Sequence, residues 1–159
     1  DLRELFETLG FKNVETYIQS GNVIFEKNGN LSTLKISNQI EKAIKEKFGF
    51  DVPVIVISSK AISDAVTSNP FYKEKDADVN ELHLTFLKEL PSDENRILTE
   101  GYNYEQDEFS LDGQNIFILG CGKYHESRLT NTFFEKKLGT PATTRNWKTV
   151  LKLHELSSK

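Results

Sequence analysis

The segment before the last predicted helix combines hydroxyl, cationic and aromatic side chains in an order that suits anion binding. Thr143 or Thr144 is predicted to cap that helix, and a capped start exposes backbone N–H groups at the positive end of the helix dipole. Arg145 and Lys148 add full positive charges there, which favours a phosphate or a carboxylate. The alternative interpretation is structural: Trp147 lies in the core, and Arg145 pairs with a neighbouring acid.

Four more residues extend this hypothetical site. Arg128, beside the start of the preceding predicted helix, supplies another cation, and Tyr124 or Trp147 could stack on a flat ring. Gln19 and Ser20 lie at the rim of a predicted hairpin turn, whose Gly and Asn are equally well explained by turn geometry. The predicted partner is a small anionic ligand such as a nucleotide or a phosphorylated metabolite, with a nucleic-acid backbone less favoured. The candidate residues are Arg145, Thr144, Arg128, Lys148, Trp147, Tyr124, Gln19 and Ser20.

Cys121 is the only cysteine, and two glycines flank it. Lys123 and His125 follow closely and could activate the thiol as a nucleophile. We favour a different interpretation, in which Cys121 is a small apolar residue at a strand end and the glycines serve turn geometry. A lone cysteine excludes an internal disulfide and fits a reducing compartment, so we expect a cytoplasmic protein.

No motif in the sequence predicts a metal or a cofactor. The three histidines are far apart in the sequence, and a metal site needs three or four convergent ligands. A phosphate-binding loop, a dinucleotide fingerprint and a serine-hydrolase elbow are all missing from the sequence. Glu105, Asp107 and Glu108 could share acid and base roles, although such dense charge beside a hairpin more often protects a sheet edge.

The charge of the chain is unevenly distributed. The net charge is −4, yet residues 74–112 contain twelve acidic and three basic side chains, and residues 113–159 contain three acidic and eight basic ones. The acidic middle argues against a protein that binds nucleic acid over its whole surface, while the basic end permits a local anion site. No apolar run approaches the roughly 20 residues of a membrane-spanning helix, so no membrane association is predicted.

The first 57 residues are predicted to run helix, strand, strand, helix, strand, and a short helix is predicted to follow at 60–67. Apolar residues recur at helical spacing over 2–9 and every four residues from Ile36 to Phe48. Residues 14–19 and 23–26 form a predicted hairpin, and the β-branched run 52–57 a predicted buried strand. This order is a ferredoxin-like unit without its first strand. Because the chain has no methionine, even at position 1, we expect that an N-terminal piece containing that strand is missing.

The second part, residues 73–159, repeats a similar order. A strand at 82–86, a helix at 91–98 and a hairpin of 106–111 with 114–119 are followed by a helix from 129 and a final helix in place of a strand. The predicted fold is therefore α+β, with duplicated ferredoxin-like subdomains at 1–72 and 73–159, antiparallel sheets and a C-terminal helix.

Four stretches, 2–6, 16–23, 127–131 and 143–150, resemble the bacterial family known as domain of unknown function 1697. The resemblance runs to about residue 156. It implies two ferredoxin-like subdomains, with an N-terminal strand and a glycine-rich loop absent from this chain. The family has no established activity, so the resemblance assigns no catalytic residue. Arg128 stands where lysine is frequent, which keeps the charge, and Cys121 lies outside the family pattern.

Three functions therefore remain open. The first is a binding module for an anion at the start of the last helix. The second is an enzyme whose site needs the absent glycine-rich loop. The third is a structural or protein-interaction module, which could self-associate through a sheet edge or face.

Overall fold

The computed structural model describes residues 2–17, 21–73, 78–102, 107–120 and 129–158. The helices are α1 Leu2–Thr8, α2 Thr33–Phe48, α3 Ser59–Ser68, α4 Pro70–Lys73, α5 Asp93–Glu100, α6 Asn131–Leu138 and α7 Trp147–Ser157, with a 3₁₀ turn at Val79–Glu81. The strands are β1 Lys12–Tyr17, β2 Asn22–Glu26, β3 Leu82–Leu87, β4 Glu108–Asp112, β5 Asn115–Leu119 and β6 Ala142–Asn146. None of these helices combines the length and hydrophobicity needed to cross a bilayer.

The first half of the chain builds a small core between a hairpin and two helices. β1 pairs with β2 in an antiparallel two-stranded sheet, which confirms the first predicted hairpin. Ile36, Ile40 and Ile44 of the predicted period-four stripe form the buried face of α2, whereas its last member, Phe48, is exposed. The Ser32 side chain caps the helix, and Gly49 ends it at φ +83°. This first-half core consists of Leu5, Phe6, Phe11, Val14, Ile36, Ile40 and Ile44.

Residues 52–57 are not assigned as a strand, and that prediction is wrong. Their side chains still alternate as in a strand, because Val54 and Val56 pack on the first-half core while Ile55 and Ile57 pack on a second core. The N–H groups of Val54 and Val56 donate to the side chains of α2 residues Glu41 and Ser37 at 2.8 and 3.2 Å. The backbone thus bonds to helix side chains, and no strand of the described chain pairs with this segment.

The second half contains a four-stranded sheet of order β4-β5-β3-β6, in which every neighbouring pair is antiparallel. The second predicted hairpin is confirmed, although its two-residue turn lies at 113–114 and not at 112–113, because Asp112 still pairs with Asn115. Gly113 has φ +61°. Both faces of the sheet are covered. The α7-side core is Ile62, Ala65, Phe71, Leu82, Leu84, Phe86, Phe117, Trp147 and Val150. The α6-side core is Leu87, Ile116, Ile118, Leu129, Phe134, Leu138 and Ala142.

The prediction that Thr143 or Thr144 caps the last helix is also wrong. Both threonines belong to β6, which pairs with β3 along its whole length, and Asn146 caps α7 by accepting from the N–H of Thr149 at 2.9 Å. β-branched residues favour the pleated strand, and an N-cap needs extended backbone as well, so the strand runs directly into the cap. A strand therefore precedes α7, where the sequence pattern predicted only a helix.

Candidate functional site

The structure describes four of the eight candidate site residues. Thr144 and Arg145 lie in β6, and Trp147 and Lys148 are the first two residues of α7. The other four candidates, and the glycine-flanked Cys121, lie outside the described residues. Those four are Arg128, Tyr124, Gln19 and Ser20.

Arg145 reaches from the edge strand β6 to the turn of the first-half hairpin. Its Nε donates to Asn22 Oδ1 at 2.8 Å, and its Nη2 donates to the carbonyl of Gly21 at 2.8 Å. Its Nη1 donates to Thr143 Oγ1 at 2.6 Å and to the Thr144 carbonyl at 3.0 Å. One guanidinium group therefore links residues more than 120 positions apart, and the predicted hairpin turn and the predicted basic segment meet at this point.

Arg145 forms no ion pair with a carboxylate among the described residues. Its four bonded acceptors are neutral oxygens. Burial lowers the pKa of Arg145 from its ordinary value, because a half-buried guanidinium loses hydration. The alternative interpretation required a neighbouring acid that neutralises Arg145, and the described part of the chain contains no such acid. An added anion would supply the missing charge.

The two threonines of β6 point to opposite faces of the sheet. Thr143 shares the face of Arg145 and accepts its hydrogen bond. Thr144 lies opposite the fully buried Thr85, and their hydroxyl oxygens are 2.7 Å apart. Thr144 therefore holds β6 to β3, whereas Thr143 accompanies the cation. The two-residue period of a strand would have identified Thr143, had 142–146 been predicted as a strand.

Trp147 and Lys148 have different surroundings at the start of α7. Trp147 is fully buried, and its ring centroid lies 5.3 Å from that of Tyr72. Its Nε1 has no hydrogen-bond partner among the described residues. The ring therefore belongs to the core, as the structural interpretation of this segment predicted. It offers no face on which a ligand could stack. Lys148 is exposed beside the N-terminal turn of the helix.

The other candidate chemistry lies elsewhere. Asp107 and Glu108 help to line an open groove of about 280 Å³ along β4, at the opposite edge of the sheet from Arg145. Burial lowers the pKa of His83, which pairs with Asn146 across β3 and β6. Within the described ranges, no three histidine, cysteine, aspartate or glutamate side chains gather as metal ligands would.

Residues 1–117 match a protein family described as protein of unknown function (DUF1697). A search among curated proteins found no match. Among solved structures, the chain is similar to the conserved bacterial protein SP0830 from Streptococcus pneumoniae, with a TM-score of 0.76 and 19% sequence identity. The similarity covers 99% of this chain and 87% of that one, and at this identity it shows a shared fold.

Proposed function

The chain belongs to the DUF1697 family of proteins of unknown function, and we propose that it is a small binding module for an anionic, phosphate- or carboxylate-bearing ligand. The ligand would lie between the turn of the β1–β2 hairpin and the start of α7. The observation that carries the proposal is the guanidinium of Arg145, which is half-buried between these elements and has only neutral acceptors among the described residues.

Three groups would act on the anion. Arg145 has five N–H donors and uses four for neutral oxygens, which leaves one N–H and the whole positive charge. Lys148 adds an exposed ammonium, and α7 adds the positive end of an 11-residue helix. Together such groups contribute on the order of 1–3 kcal/mol, which corresponds to weak affinity unless further groups take part.

Further groups would come from the candidates outside the described residues. Ser20 directly precedes Gly21, whose carbonyl already accepts from Arg145, so Gln19 and Ser20 would contribute from the hairpin side. Arg128 would add a second arginine and Tyr124 a ring for stacking. A nucleotide or a phosphorylated metabolite fits this set better than a nucleic-acid backbone, because the acidic segment 74–112 would repel an extended polyanion.

The fold behind this site is, in our proposal, a duplication of one ferredoxin-like unit, with subdomains at 1–72 and 73–159. Strand order β4-β5-β3-β6 and the chain order strand, helix, strand, strand, helix, strand support it for the second unit. The first half has the hairpin, α2 and the alternating segment 52–57 in corresponding positions. The single cysteine supports a cytoplasmic location.

The test is a titration of the protein with phosphate, sulfate and nucleotides, followed by the NMR signals of Arg145 and by the fluorescence of Trp147, the only tryptophan. We expect saturable shifts at millimolar concentration that weaken as salt is added. Arg145→Gln should reduce the affinity at least fivefold, while Arg96→Gln on α5 should leave it unchanged. Melting curves of both variants establish that they fold. Equal affinity in the wild type and Arg145→Gln, or no shift with any anion, would refute the proposal.

A further inference from the structure

The two faces of the β1–β2 hairpin have different surroundings. Val23 and Phe25 of β2 pack against the first-half core. Because successive side chains of a strand point to opposite faces, Asn22 lies on the face opposite to Val23. The side-chain oxygen of Asn22 accepts from Arg145 Nε at 2.8 Å. The face of the hairpin that points away from the first-half core is therefore the one that Arg145 approaches.

Tyr17 lies on the same face of the hairpin as Asn22. It is the last residue of β1 and pairs directly with Asn22, the first residue of β2. Side chains that are directly opposite each other in an antiparallel pair share a face and lie close together. Asn22 Nδ2 donates to the Tyr17 carbonyl at 3.1 Å, while Asn22 Oδ1 accepts from Arg145. The two polar atoms of one amide thus join Tyr17 and Arg145.

The side chain of Tyr17 is half-buried and makes no specific contact within the described chain. Among the described residues, its hydroxyl has no hydrogen-bond partner and its ring contacts no other aromatic ring. The other two described tyrosines are both engaged, Tyr72 against Trp147 at 5.3 Å and Tyr102 against Phe133 at 5.8 Å between ring centroids. A half-buried aromatic ring without a partner offers a face on which a flat ring can stack.

We propose that Tyr17 determines the specificity of the anion site, and that the ligand is a nucleotide whose base stacks on the Tyr17 ring. This inference rests on the proposed function, because Arg145 holds the phosphate in both. A nucleoside monophosphate has a charged group at one end and a flat, neutral ring at the other, which matches a cation and an unpartnered ring on either side of Asn22. The reverse orientation would bring the phosphate toward Glu15, which shares the face of Tyr17 two positions along β1.

The first experiment compares three ligands of the wild-type protein: adenosine 5′-monophosphate, ribose 5-phosphate and inorganic phosphate. We expect adenosine 5′-monophosphate to bind about fivefold or more tightly than ribose 5-phosphate, because only the nucleotide has a base that can stack on tyrosine. NMR gives a direct readout of the contact. The ring signals of Tyr17 should shift strongly with the nucleotide and hardly with the other two ligands, because the ring current of adenine acts on a ring stacked against it.

The second experiment separates the ring from the cation. Tyr17→Ala should lower the affinity for the nucleotide about fivefold or more and leave the affinities for ribose 5-phosphate and phosphate unchanged. Tyr17→Phe keeps the ring and should keep the preference for the nucleotide. Tyr102→Ala, which removes a tyrosine ring beside the opposite edge of the sheet, is the control and should change nothing. Arg145→Gln, in contrast, should weaken the binding of all three ligands.

The possible outcomes distinguish this inference from the function on which it rests. Equal binding of the three ligands to the wild type, or an equal loss for all three in Tyr17→Ala, would overturn the role of Tyr17 and leave the anion site in place. Binding of none of the three would overturn both. The Tyr17 ring signals of the wild type keep the test decisive if Tyr17→Ala fails to fold, since ring signals that do not move with the nucleotide would refute stacking.

Discussion

In the part of the chain that the structure describes, Lys88 and Arg145 connect the second half to the first, and their charges are balanced in different ways. Lys88, just after β3, donates to Glu41 Oε1 at 2.8 Å and to Asn38 Oδ1 at 2.9 Å on α2. Arg145, at the edge strand β6, donates only to neutral oxygens of the described chain. The difference indicates that Lys88 is a structural link, complete in itself, whereas Arg145 keeps a charge that a ligand could balance.

The largest expected effect comes from removing the carboxylate of the complete link. Glu41→Ala leaves the nearly buried Lys88 ammonium unpaired and removes the acceptor of the Val54 N–H. The free energy of unfolding should fall by about 3 kcal/mol, as for other buried pairs that lose one partner. Chemical denaturation measures the loss, and Glu46→Ala on the exposed side of α2 is the control. A loss no larger than the control would show that Lys88 and Glu41 are not coupled.

A smaller loss of stability is expected when Arg145, whose charge has no carboxylate partner among the described residues, is replaced. Arg145→Gln removes hydrogen bonds but leaves no opposite charge unpaired, and it also removes a half-buried charge. We expect the free energy of unfolding to fall by about 1–2 kcal/mol. The comparison with Glu41→Ala should be made in one denaturant at one pH. If Arg145→Gln proved the more damaging change, Arg145 would be primarily a structural link.

Ligand addition should distinguish the two links further. Phosphate at ten times its dissociation constant should stabilise the wild type by about 1.4 kcal/mol through mass action. The same concentration should leave the melting temperature of Arg145→Gln unchanged, and Glu41→Ala should gain as much as the wild type from its lower starting point. A phosphate effect of equal size in Arg145→Gln would place the anion elsewhere on the protein.

The smallest expected effect is on the pH dependence of stability, and it comes from His83. The pKa of His83 in the folded protein is lowered from its ordinary value of 6.5 by burial. Above pH 6.5 the histidine is neutral in both states and costs no stability. As the pH falls from 6.5 toward the lowered pKa, the unfolded chain takes up a proton first, so stability declines. Denaturation at pH 7.5 and 5.5 should show a smaller decline in His83→Gln than in the wild type.

Local patterns predicted the elements whose hydrogen bonds are local. The buried stripe of α2 as far as Ile44, the stop at Gly49 and a turn that includes Gly113 depend on neighbours within a few residues, and the structure confirms all three. A helix closes its own hydrogen bonds, and a tight hairpin closes those of its two strands, so spacing and turn residues suffice.

Two segments were predicted wrongly because a strand depends on what lies beside it. Residues 52–57 have the β-branched, alternating character of a buried strand, yet their bonds go to α2. Residues 142–146 are polar and looked like a helix cap, yet they pair with β3. The partner strand of 142–146 lies far along the chain, 59 residues away at the Thr85–Thr144 pair, and no local pattern identifies it.

The sequence by itself determined the types of residue at the candidate site, the basic end of the chain and most of the helices. Only the tertiary structure decided that Thr143 and not Thr144 accompanies Arg145, that Trp147 belongs to the core, and that Gly21 and Asn22 receive the guanidinium. The physical reason is that composition and periodicity fix which groups are charged and which face is apolar. The partner of a buried charge depends on which distant backbone the packed sheets bring within about 3 Å of it.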